Sequence, residues 1–200
     1  MFNDRAYRPL PAAMAAVLRH EGIAPTRHLL IVNLADQRMW RLEKAKRQVA
    51  ESRFPHYRMR RQYLISSSAY GIGQTEHSNR TPLGLHRIAR KIGGGQPIGT
   101  VFRGRRAVGL TWQGLPRASI VHRILWLDGL QPGFNRGGSV DTFRRYIYIH
   151  GFGDETTLGR PHSHGCLHLA AKDLIPLYDL LPAGTLVWIG ARQDGSISGF

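Results

Sequence analysis

Residues 159–169 read GRPHSHGCLHL and hold His162, His164, Cys166 and His168, three of the ten histidines and the one cysteine of the chain. The four alternate, so an extended backbone places them on one face, about 6–7 Å apart. Tetrahedral zinc, with bonds of roughly 2.0–2.3 Å, cannot gather four ligands from one straight strand. A metal held by two of them with distant histidines stays open. So does a structural role, with Ser163 and Gly165 in a turn, the histidines bonded locally and Cys166 acting as a small buried hydrophobe. The stretch RRYIYIHG (144–151) supports a third reading. Its alternation predicts a strand with Ile147 and Ile149 facing the core and Tyr146, Tyr148 and His150 on the other face. A histidine then ends a strand just before Gly151, sixteen residues ahead of Cys166. An imidazole that takes the thiol proton, and backbone N–H groups that receive an oxyanion, make a cysteine a nucleophile. Glycine at 165 lets that backbone approach a substrate carbonyl.

Outward from this pair, the chain reads as short strands separated by glycine-rich segments. HLLIVNL (28–34) and RMWRLE (38–43), joined by ADQ, predict a hairpin. QYLISSS (62–68), LHRIARKI (85–92), RILWLDG (123–129) and GTLVWIG (184–190) predict further strands. Two helices are expected. Leu10, Met14, Val17 and Leu18 share one face of the first. KDLIPLYDLL (172–181) is the second, with Asp173 as N-cap, Pro176 in the first turn and Leu174, Leu177, Tyr178 and Leu181 as its apolar stripe. The expected fold class is therefore mainly β, a sandwich or barrel-like domain with a few short helices. Its organisation is expected as an N-terminal helix and lead-in over 1–27, a catalytic domain over 28–191 and a tail over 192–200.

The 200 residues carry a net charge of +15, unevenly placed. Segment 38–61 holds nine Arg and Lys against two Glu, and 80–106 holds seven against no acid, whereas 151–200 is slightly acidic. Such a surface attracts an acidic partner without naming it. Nucleic acid is not expected, because aromatic residues do not interleave with the basic ones as base stacking requires. No stretch reaches the ~20 apolar residues of a membrane-spanning helix. A single cysteine allows no internal disulfide. The apolar run Leu10–Leu18 is short and is followed by Arg19-His20-Glu21, so an amphipathic helix is expected in place of a secretion signal. The expected location is cytoplasmic, with the periplasm as the alternative.

The ordered set YIHG (148–151), SHGCLHL (163–169), RTPLGLHRI (80–88) and GTLVWI (184–189) resembles the L,D-transpeptidase catalytic domain, the YkuD family. The resemblance covers residues 28–190. It implies a β-rich L,D-transpeptidase-type domain, no cofactor and no metal, and acyl transfer on peptidoglycan stem peptides or muropeptides. It implies Cys166 as nucleophile, His150 as base oriented by the Gly151 carbonyl, His164, Gly165 and Cys166 around the oxyanion, and Ser163 bracing the turn. The family's cysteine attacks the L-centre carbonyl of the diamino acid and expels terminal D-alanine, forming a thioester. One position departs, since His168 stands where most bacterial members carry arginine. Tyr148, His168 and Arg160 are the expected substrate contacts, Arg160 supplying the missing charge. With an expected cytoplasmic location, hydrolysis (L,D-carboxypeptidase action) is the expected outcome. The alternatives are an exported cross-linking enzyme and an inactive module that binds polyanions.

Overall fold

The computed structural model describes residues 7–46 and 53–191; the tail expected over 192–200 lies outside them. Helix α1 (Ala12–His20) leads into β1 (His28–Asn33), β2 (Arg38–Lys44), β3 (Tyr57–Ser66), β4 (Gly84–Ile92), β5 (Thr100–Arg103) and β6 (Arg106–Leu110). These are followed by β7 (Val121–Gly129), β8 (Tyr148–Gly151), β9 (Leu167–Leu169), α2 (Ala171–Leu180) and β10 (Leu186–Gly190).

Strand β1 shows how the layers arise. Its six residues are all buried, because each face has a cover. Leu30 and Val32 point into a core with Ile65, Leu125, Ile149, Leu167 and Val187. Leu29 and Ile31 point the other way, into a second core with Met14 and Leu18 of α1. Burying each of those two helix side chains stabilises the fold by about 1.5–3 kcal/mol. The predicted helix face is thus the one that seals the outer side of the sheet.

The strands β4-β10-β1-β2-β3-β9-β8-β7 run in sequence round a ring, and pairing of β4 with β7 closes it. Closure leaves no free edge among these eight strands. The β5–β6 hairpin hangs from β7 through Val101 opposite Val121. Among the described residues, no helix is long and apolar enough to cross a membrane.

Several expectations are corrected. The strand expected over 144–151 is confined to Tyr148–Gly151. Asp141 accepts the Arg144 N–H at its side chain and the Arg145 N–H at its carbonyl, which turns the chain, and Tyr146 lies at φ +58°. Only Tyr148 and His150 therefore share the strand face. Helix α2 is capped at Ala170 without a side-chain bond, and Asp173 binds Arg61 instead. Pro176 is the sixth residue of that helix, past the first turn, where it removes one backbone donor. The β5–β6 hairpin occupies a region read as loop, because Gly104 and Gly109 dilute the strand pattern.

Strands β8 and β9 pair in parallel, with Ile149 opposite Leu167 and His150 opposite His168. Parallel neighbours need a crossover. The segment from Phe152 to Cys166 is that crossover, so the interval between His150 and Cys166 is spent leaving one strand and returning beside it.

Candidate active site

Cys166 sits on the last residue before β9, at the end of a heavily braced turn. Gly165 has φ +119°, and a Cβ there would lie 3.0 Å from Ile147 Cδ1 and 3.3 Å from the Arg80 carbonyl oxygen. Ser163 Oγ donates to the Cys166 carbonyl at 2.6 Å and accepts from the Gly165 N–H at 3.2 Å. Thr81 Oγ1 donates to the Gly165 carbonyl at 3.1 Å and accepts from the Ser68 N–H at 3.0 Å. Thr81 opens the TPLG stretch, which therefore serves as a strut beneath the cysteine turn.

Arg145 ties down the rest of that loop. Its guanidinium donates to the carbonyls of Gln74 at 2.7 Å and Arg80 at 2.6 Å. Its positive charge also lies close enough to act on Cys166. Thr81 stands in the RTPLGLHRI stretch that carries the resemblance, but neither it nor Arg145 is read as a site residue from the sequence, since their partners at the cysteine turn and the Arg80 loop are far away in sequence.

On β8, His150 is buried, and its Nδ1–H donates to the Gly151 carbonyl at 2.8 Å. That bond fixes the tautomer and leaves Nε2 as the basic nitrogen. A glycine is needed at 151, because a Cβ there would lie 2.4 Å from His122 Cδ2 and 2.7 Å from the Val121 carbonyl oxygen. Gly151→Ala must therefore shift the carbonyl that orients His150. We expect the His150 ring signals in the NMR spectrum of Gly151→Ala to move. Unchanged signals would show that the Gly151 carbonyl does not orient the ring.

Burial dominates the electrostatics. It pushes the Cys166 thiol up to about 11, against the Tyr148 N–H and Arg145, which favour the thiolate. It pulls His150 down to about 4, against the Gly151 carbonyl bond. His168 is held lower still by burial and by the neighbouring His150, His162 and His164. At neutral pH the resting pair is thus a neutral thiol and a neutral imidazole, not a preformed ion pair.

His150, His162, Ser163, His164, Cys166 and His168 line one open cavity of about 260 Å³, completed by Ser119, Ile120 and Phe152. Ser119 and Ile120 also line a neighbouring groove of about 670 Å³ that passes Arg103 and Arg117. His168 stacks on Phe152 at 4.5 Å and meets His150 edge-on at 4.8 Å. Two expected substrate contacts are placed otherwise. Arg160 is exposed and does not line the cavity; its carbonyl accepts from Ser66 Oγ. The Tyr148 ring is buried among Phe102, Ile124 and Trp126, and the residue meets the site through its backbone. Among the described residues, no group of three or more His, Cys, Asp or Glu side chains is arranged to hold a metal ion.

A family model of the YkuD L,D-transpeptidase catalytic domain matches residues 27–189. The chain belongs to the YkuD family. The matched span contains every strand of the closed ring except the last residue of β10. No curated protein matches the chain. Solved structures similar to it include Bd1075 of Bdellovibrio bacteriovorus, at 13% identity and TM-score 0.52 over 84% of this chain and 49% of that one. An L,D-transpeptidase from Mycobacterium smegmatis matches at 14% and 0.46, over 82% of this chain and 59% of that one. Another from Stackebrandtia nassauensis matches at 21% and 0.44, over 85% and 58% respectively. The chain thus spans about half to three-fifths of the length of these structures. In this YkuD chain the His-Gly element ends β8, and the Ser-His-Gly-Cys element is the turn that leads into β9, its parallel neighbour in the barrel wall.

Proposed function

We propose that the chain is a cysteine acyl-transfer enzyme acting on peptidoglycan tetrapeptide stems, and that its catalytic unit is residues 28–191. The observation that carries this reading is His150, anchored through Nδ1 on the Gly151 carbonyl in the cavity that also contains Cys166. As the sulfur attacks the L-centre carbonyl of the diamino acid, the thiol proton passes to His150 Nε2. The oxyanion is received by backbone N–H groups of the His164–Cys166 turn. The Gly165 N–H is already engaged by Ser163 and contributes mainly to the shape of that turn. Collapse breaks the peptide bond, and the departing D-alanine nitrogen takes the proton from His150. Cys166 is left as a thioester. Water then attacks with His150 again as base, releasing a tripeptide carboxylate and the free thiol.

Hydrolysis needs one bound stem and an open cavity, and we assign L,D-carboxypeptidase action on that basis. The adjoining groove favours a second reading, because it offers room for an amine from another stem, and the outcome there is a cross-link. Hydrolysis fits soluble stem peptides in the cytoplasm; cross-linking fits polymer outside the membrane. Mass spectrometry of a disaccharide tetrapeptide incubated with the enzyme, alone and with an amine acceptor, tests both. Loss of D-alanine to give the tripeptide is expected. A dimer would move the assignment to cross-linking, and an unchanged tetrapeptide in both reactions would overturn the acyl-transfer reading. Imipenem supplies an independent check, since a thiol that opens peptide carbonyls also opens a β-lactam. One equivalent should add to the protein mass and none to Cys166→Ala.

A further inference from the structure

We infer that Arg105, at the tip of the β5–β6 hairpin, is a positioning residue for the Cys166 thiol, clamping Tyr146 in a left-handed conformation. It thereby holds the two backbone groups that touch the sulfur. The inference rests on Cys166 being the nucleophile.

Cys166 Sγ has two polar backbone contacts. It accepts from the Tyr148 N–H at 3.3 Å and lies 3.5 Å from the Tyr146 carbonyl oxygen, to which the thiol donates. Both groups flank Ile147, whose side chain is sealed in the barrel core. For a carbonyl and an N–H two residues apart to converge on one atom, the chain bends at Tyr146, which has φ +58°. A bulky residue holds that conformation only where its surroundings enforce it. Core burial does not enforce it here, because Tyr146 is 51% exposed.

Backbone bonds set the turn, the Tyr146 N–H donating to the Phe143 carbonyl at 3.1 Å and the Ile147 N–H to the Thr142 carbonyl at 3.4 Å, and Arg105 holds the exposed side chain of Tyr146 over it. Its guanidinium carbon lies 4.9 Å from the Tyr146 ring centroid and 5.0 Å from that of Trp126. Its charge also interacts favourably with the side chains of Tyr148 and Tyr146. Trp126 is itself fixed, stacked on Phe143 at 4.1 Å and 4°. Arg105 thus bridges an anchored indole and the two tyrosines whose backbones hold the sulfur. A planar, multiply donating cation suits this position better than an ammonium. The hairpin that hangs from the barrel then has a purpose: it delivers this side chain.

The test is the pH profile of Cys166 alkylation by iodoacetamide, which reads the thiol directly because the chain has one cysteine. Arg105→Ala should slow alkylation at pH 8 about tenfold and move its midpoint upward, the loss of one hydrogen bond to a thiolate. Arg105→Lys should recover little. Tyr146→Gly in the Arg105→Ala background should restore the rate, since glycine adopts positive φ freely. Melting curves for each variant check that the fold is intact. An unchanged alkylation profile in Arg105→Ala overturns the inference, as does failure of Tyr146→Gly to restore the rate. Peptide turnover is not part of this readout, so the acyl-transfer reading and the clamp fail separately.

Discussion

Replacing Cys166 by alanine should reduce D-alanine release from a tetrapeptide stem by ~10⁴-fold or more, the scale on which removing a nucleophile acts. Replacing His150 by alanine should cost ~10²–10⁴-fold, the range of a positioned general base. The size of the second effect follows from the resting state. With the thiol pushed up to about 11, only about one molecule in 10⁴ carries a thiolate at pH 7. Attack therefore depends on proton transfer to His150 during the step itself. The base works in its neutral form and is held at about 4, so its activity is lost only as pH falls through that value. The acid limb of kcat/KM should accordingly lie near pH 4, well below the ordinary histidine range. A limb near 6.5 would mean that His150 is not the base. Retention of turnover by Cys166→Ala, measured as free D-alanine, would end the assignment altogether.

Acid should destabilise the protein before its carboxylates are neutralised. His86 is fully buried, its Nδ1 donating to the Gly84 carbonyl at 3.0 Å and its Nε2 lying 3.2 Å from Thr142 Oγ1, and burial holds it at about 4. His150 is also held at about 4. In the unfolded chain each titrates near 6.5. Above that value both states are neutral and neither histidine affects stability. Below it the unfolded chain binds protons that the folded one refuses, so stability falls as pH drops from about 6.5 towards 4. At pH 4.5 the loss is about 2–3 kcal/mol per histidine. His168, His122 and His28 are lowered as well and act with the same sign. Two such losses are a large part of the 5–15 kcal/mol that holds a typical domain together. Circular dichroism melts should show Tm falling by roughly 10–20 °C between pH 7.5 and 4.5. His86→Gln should flatten part of that slope. A Tm independent of pH over this range would show that these histidines titrate as freely when folded as when unfolded.

The parts legible in the sequence were those governed by local pattern. The hairpin of β1 and β2 follows from two β-rich runs around Ala35-Asp36-Gln37, and the buried face of α1 follows from the spacing of Met14 and Leu18. The cysteine turn was legible because Ser163, Gly165 and Cys166 stand within four residues and brace one another directly. Arg145 and Thr81 were not, since their partners lie 65 and 84 residues away at Arg80 and Gly165. Tyr146 was misread because alternation continues through YIYIH, while the bend is imposed by Asp141 behind it and accompanied by Arg105 across it.

By itself, then, the sequence determined a β-rich chain with one nucleophile candidate, one histidine at a strand end and a glycine on each side of the reaction. Those features are set by side-chain type and short-range spacing. Tertiary structure alone decided that β4 closes on β7, that β8 and β9 lie parallel, and that His150 faces His168 in the same cavity as Cys166. It also decided the charge state of the site. A thiol and an imidazole have ordinary affinities for protons in any exposed segment, and burial in the barrel wall moves them apart, the thiol up to about 11 and the imidazole down to about 4, so that both stay neutral over a much wider pH range.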